Sequence, residues 1–135
     1  QQAMIGGALA VKRGERIKLT IRFRDPETLN HHGQNPAVAR VDLIAGPITG
    51  KSANRSLDSN PGTSVVARFT AANWQERGGF KEIEYELDAT WGPQYIRLRG
   101  TNTAELEPAP DAEGQSAWDD LWFYSNPIFL ELPRR

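Results

Sequence analysis

The side chains able to do chemistry are few, and their spacing limits what each could do. His31 and His32 are the two histidines of the chain and stand next to each other. Neighbours in an extended segment point to opposite sides, so the pair is poorly placed to grip one ion, and no third ligand lies at a recognisable spacing. They read as part of a solvated loop. Asp111, Glu113, Asp119 and Asp120 gather around Gly114, and oxygen-rich loops can hold calcium. The spacing of an EF-hand is missing, which leaves ordinary solvated acids. Glu82, Glu84 and Glu86 alternate along one stretch. Glycosidase chemistry needs two carboxylates flanking one bond, whereas these line one face of a strand. No G-x-S-x-G elbow, Gly-rich phosphate loop or H-E-x-x-H occurs. The absence of cysteine excludes disulfides, thiol catalysis and Cys-ligated zinc. The expectation is no catalytic residue, no metal site and no cofactor in this domain.

Aromatic residues offer a second kind of site. Trp74 and Trp91 flank turns and Tyr95 follows closely. These three are candidates for contact with a ligand or another domain, because aromatic faces stack on pyranose rings. The competing use is packing, since aromatics carry the largest hydrophobic area available. Trp118 and Trp122 lie in or beside the most apolar segment and read as packing residues.

The elements that must position these groups are strands. Arg16 to Arg24 alternates without a fault, with Ile17, Leu19, Ile21 and Phe23 on one side and Lys18, Thr20, Arg22 and Arg24 on the other. Phe80 to Asp88 does the same: Ile83, Tyr85 and Leu87 face in, and Glu82, Glu84, Glu86 and Asp88 face out. Further strands are expected at Ile5–Val11, weakened by Gly6-Gly7, at Ala37–Ala45, at Ser64–Thr70 and at Gln94–Gly100. Val41 and Leu43 would point inward, with Arg40 and Asp42 outward; Ile96 and Leu98 would oppose Tyr95, Arg97 and Arg99. Ala71–Arg77 could form a short helical turn before Gly78-Gly79. Residues 50–63 read as the longest loop, and the most exposed to a ligand. The last segment, Asp119–Leu132, is the most apolar.

About seven mainly antiparallel strands and no convincing amphipathic helix predict an all-β fold, an immunoglobulin-like β-sandwich filling 1–135 as one domain. The Cys…Trp…Cys spacing of antibody domains is absent. A chain of 135 residues and 15.0 kDa is long enough to bury a core of its own. Sixteen Lys and Arg against seventeen Asp and Glu leave a net charge of −1, so nucleic acid is not an expected partner. No apolar run approaches the length of a membrane span. Gln1-Gln2-Ala3-Met4 shows no signal peptide and no initiator Met at position 1, so the chain is expected to be a piece of a longer protein. The compartment stays open, because a secreted and a cytosolic domain can both lack cysteine; a periplasmic or secreted setting is one option.

Charge patterning suggests a register. Antiparallel pairing across the turn at 89–93 would set Glu86 opposite Arg97 and Glu84 opposite Arg99, with Tyr85 against Leu98 and Leu87 against Ile96. A crossing between sheets at the same turn would form none of these pairs. The complementary charges tilt the reading towards pairing.

The closing segment, Asp120-Leu121-Trp122-Phe123-Tyr124-Ser125-Asn126-Pro127-Ile128-Phe129-Leu130, resembles the closing strand of bacterial phosphoesterases of the PHP (polymerase and histidinol phosphatase) type, which often end in W-x-Y-S-N-P-I. Tyr95-Ile96-Arg97-Leu98-Arg99-Gly100 is similar to the strand that precedes it there, and Val41-Asp42-Leu43-Ile44-Ala45-Gly46 to another. The resemblance covers roughly residues 36–131 and rests most on Trp122, Tyr124, Ser125, Asn126 and Pro127. It implies a non-catalytic accessory domain at the C-terminus of a metal-dependent phosphoesterase. The metal ligands of such enzymes lie upstream; His31-His32 is not their H-x-H, and no catalytic residue is carried over. The implied partner is the upstream catalytic domain of the same chain, with a glycan or cell surface as a further possibility; an independent carbohydrate-binding module is the alternative. Ser125-Asn126-Pro127 predicts a break or strand switch, because Pro cannot donate to a ladder, and Asn126–Pro127 is a candidate cis bond.

Overall fold

The computed structural model describes residues 1–89 and 92–133. The described residues form nine strands: β1 (Ala8–Ala10), β2 (Arg16–Phe23), β3 (Arg40–Pro47), β4 (Ser64–Phe69), β5 (Gln75–Arg77), β6 (Phe80–Asp88), β7 (Gln94–Thr101), β8 (Trp122–Tyr124) and β9 (Ile128–Glu131). They make two sheets. The larger runs β1-β9-β7-β3-β4, with β8 also on β7; the smaller runs β2-β6-β5. All pairs are antiparallel except β1 with β9. This is the expected all-β sandwich, consistent with an immunoglobulin-like arrangement.

The period-two segments explain why the sheets stack. Ile17, Ile21 and Ile83 of the smaller sheet meet Leu43, Ala45, Phe69, Ile96 and Leu130 of the larger in one buried cluster. Phe69 and Tyr85 touch edge to face across the layers, 5.3 Å between ring centres. Each large side chain so buried favours the fold by about 1.5–3 kcal/mol over its exposed state.

Several expectations need correcting. β6 does not pair with β7: the chain passes from the smaller sheet to the larger between Asp88 and Gln94. The acids of β6 instead face the bases of β2, with Arg16–Asp88 at 3.3 Å, Lys18–Glu84 at 3.1 Å and Arg22–Glu82 at 3.4 Å. β2 offers the same charge complementarity together with a faultless apolar face, so charge alone could not choose between the partners. The 71–77 segment ends in β5 rather than a helical turn. Gly78 and Gly79, at φ 57° and 78°, form the two-residue hairpin that returns it to β6. The longest connection is residues 102–121, not 50–63.

The closing segment breaks as its Pro predicts, but both halves stay on β7: β8 pairs with Arg99–Thr101 and β9 with Gln94–Ile96. Between them the Leu98 N–H donates to Ser125 Oγ at 2.9 Å, and the Ser125 N–H donates to the Leu98 carbonyl at 2.9 Å. The serine hydroxyl thus stands in for the ladder carbonyl that the break removes. The Asn126–Pro127 bond is trans.

Gly100 lies directly beneath the Phe123 ring, where a Cβ would overlap ring carbons. Gly100→Ala is predicted to destabilise the fold by about 1–3 kcal/mol. In a Phe123→Ala background the same substitution should cost less than about 0.5 kcal/mol. Urea unfolding followed by tryptophan fluorescence checks both; equal losses in the two backgrounds would contradict the contact.

Candidate functional site

The polar cluster with the most converging groups sits on the outer face of the larger sheet, at Asp42. This carboxylate is only 1 % exposed. Strand register sets Asp42 between Arg68 of β4 and Arg99 of β7, with Arg40 two residues away on the same face. Arg99 donates to Asp42 Oδ2 through Nη2 at 2.8 Å and Nε at 3.1 Å, Arg68 through Nη1 at 2.9 Å, and Arg40 Nε reaches Oδ1 at 2.8 Å. The three guanidinium groups also hold the loop that covers them. All three donate to the Leu106 carbonyl, at 3.1–3.3 Å, and Arg40 donates to that of Ala104 at 3.3 Å. Glu107 closes the cluster, accepting from Arg99 at 2.7 Å and Arg68 at 3.0 Å. Paired, multiply hydrogen-bonded charges of this kind are the form in which buried ions are tolerated.

The loop is pinned at its neck as well. The Leu121 N–H donates to Asn102 Oδ1 at 2.8 Å. On its flank, Trp122 offers its ring face to Arg99 and Arg40, at 5.1 and 5.8 Å from the ring centre, and Tyr124 does so to Arg97 at 5.4 Å.

Two cavities border this region. One, about 470 Å³, is lined by Ile44, Thr63, Ser64, Val65, Arg68, Arg97, Arg99 and Glu107. The other, about 390 Å³, is an apolar groove walled by Phe23, Pro26, Pro36, Val38, Leu121, Trp122 and Phe123. The Trp122 indole Nε1 is buried without a hydrogen-bond partner.

The sequence candidates do not gather at one place. Trp74 packs on the core, edge to face with Phe23 at 5.2 Å and with the Lys81 ammonium 5.4 Å from its ring centre. Tyr95 lies on the outer face of the larger sheet; its ring covers Gly46 and its hydroxyl shares a hydrogen bond with Thr63. Trp91 lies outside the described residues. His31 and His32 are exposed, and the His32 ring stacks on Trp118 at 6.0 Å. Among the described residues no three His, Cys, Asp or Glu side chains come together as a metal site would need, and no helix is long and apolar enough to cross a membrane.

Arg40, Asp42 and Arg99 were expected on an outward face, and they are, but that face is covered rather than solvated. Ile44 shares that face with Asp42 and is buried with it. Sequence alone does not single out Arg68 and Glu107, because their partners lie in other strands and in the loop.

No family model, curated protein or solved structure matches this chain.

Hydrogen bonding from Arg99, outweighing partial burial and joined by Arg68, lowers the Glu107 carboxyl from its ordinary 4.5 to about 2. A depressed folded value gives stability that is complete above the unfolded value and is lost as pH falls towards the folded one. Glu107→Gln should therefore be less stable than the parent at pH 7, with the gap closing between about pH 4.5 and pH 2. Because the Glu107 side chain is 60 % exposed, solvent screening keeps the gap small. Thermal unfolding of both proteins across that range checks this; a pH-independent gap would contradict it.

Proposed function

We propose that this chain is a non-catalytic interaction domain, appended to a bacterial metal-dependent phosphoesterase of the PHP type and docking on its upstream catalytic domain. The observation that carries the reading is the apolar groove beside Trp122. Its walls include Trp122 and Phe123, from the segment on which the resemblance rests, and an indole N–H nearby is left without an acceptor. An apolar cleft of this kind suits a partner segment that brings aliphatic side chains. The organised polar groups of the outer face are engaged in holding the 102–121 loop, which is a structural use. The glycan alternative draws on the exposed aromatics Tyr124 and Phe129.

Three measurements test this reading. The gene upstream of the Gln1 codon should encode an H-x-H motif followed by spaced His and Asp residues. The chain by itself should release no phosphate from phosphomonoesters or phosphodiesters with Mn²⁺ or Zn²⁺ added. In the full-length protein, the amides of Val38 and Phe123 should exchange at least tenfold more slowly than in the 135-residue chain. Unchanged exchange, or hydrolysis by the chain alone, would overturn the proposal. A saturable response to a glycan panel with unchanged exchange would move the assignment to the carbohydrate-binding alternative.

A further inference from the structure

The cavity next to the Asp42 cluster has an uncompensated charge. Four guanidinium groups, those of Arg40, Arg68, Arg97 and Arg99, meet two carboxylates, Asp42 and Glu107. The carboxylates are taken by Arg40, Arg68 and Arg99. Arg97 makes no ion pair among the described residues, and its Nε is buried without a hydrogen-bond partner. Its register neighbour on β3 is Ile44, which offers it no charge, and the ring of Tyr124 covers one side of its guanidinium. A buried guanidinium N–H with no acceptor is unfavourable until something supplies an oxygen.

The position of this group is what gives it a function. Arg97 lines the roughly 470 Å³ cavity together with Arg68, Arg99, Thr63 and Ser64. That volume lies within the about 300–1,000 Å³ usual for small-molecule sites. Three guanidinium groups on its wall, two of them fixed by Asp42 and Glu107, present donors whose planar forks match tetrahedral oxyanions. Ser64 adds a hydroxyl that can donate to an oxyanion, while that of Thr63 is shared with Tyr95. Glu107 is the one acid on the wall, and its charge is already bound by two arginines.

We propose that this cavity is an oxyanion-binding site that takes the phosphate or sulfate group of a small organic ligand, with Arg97 as its principal donor. The site is separate from the apolar groove and does not depend on the docking role. The Asp42 cluster has a positioning part here: it fixes Arg68 and Arg99 so that only Arg97 must adjust when the anion arrives.

The test is a titration of the ¹⁵N-labelled chain with inorganic phosphate and, separately, inorganic sulfate, against sodium chloride at equal ionic strength. Arginine Nε–Hε correlations report the site. A saturable shift of the Arg97 signal is expected with phosphate or sulfate and not with chloride, and the stronger of the two arms identifies the oxyanion. Arg97→Gln should weaken that binding at least tenfold without lowering thermal stability. If Arg97→Gln does not fold, Arg97→Lys, which keeps the charge and loses the Nε donor, gives the same reading. Shifts equal to those in chloride, or binding unchanged in the folded Arg97 variant, would overturn the assignment.

Discussion

A carboxylate enclosed by three guanidinium groups governs how the outer face of the larger sheet is finished. Asp42 sits in the central region of β3, where strand pairing brings Arg68 and Arg99 to it from both sides. Left alone, any of these charges would be costly to remove from water. Together they are paired and hydrogen-bonded, and their spare donors point to the Leu106 and Ala104 carbonyls. The long 102–121 connection is thereby drawn down as a cover. Its return positions Trp122, and through it β8 and the wall of the apolar groove. A polar network, not a second hydrophobic layer, therefore links the sheet to its lid.

The opposite face follows simpler rules. Two sheets share one apolar interior, and the exposed charges of β2 and β6 select register more than they add stability. Where the ladder is interrupted at Pro127, a side chain repairs it: Ser125 both donates to and accepts from Leu98. The Ser-Asn-Pro sequence thus has a physical purpose that does not require chemistry. It lets one edge of β7 carry two short strands, one of them joined to β1 in parallel.

Alternation made β6 legible to the residue and β2 to within one residue at its end, because a period of two is what hides one row of large apolar side chains. The sandwich followed from such segments and the turn residues between them. Two features stayed hidden for physical reasons. Strand partners depend on complementary charge and apolar matching, and β2 and β7 both offered β6 suitable bases; only the crossing of the chain between sheets separates them. The Asp42 cluster was hidden because burial of an outward face is set by a loop remote in sequence. Arg40, Asp42 and Arg99 carried the right alternation, yet alternation says which side a residue faces, not whether water reaches that side. The Arg97 site was illegible for the same reason: an unpaired guanidinium becomes a signal only once its neighbours are known to be occupied.

The dependence of the cover on Asp42 is tested most directly by a double-mutant cycle between Asp42→Asn and Arg99→Met, read by urea unfolding. Asp42→Asn leaves Arg40 and Arg99 buried without their carboxylate and should destabilise by about 3–5 kcal/mol; Arg99→Met leaves Asp42 held by Arg40 and Arg68 and should cost less. The double variant should be more stable than the sum of the two losses implies, by at least about 2 kcal/mol of coupling. Losses that add to within about 0.5 kcal/mol would show that Asp42 and Arg99 do not act together, and the account of the outer face would be contradicted.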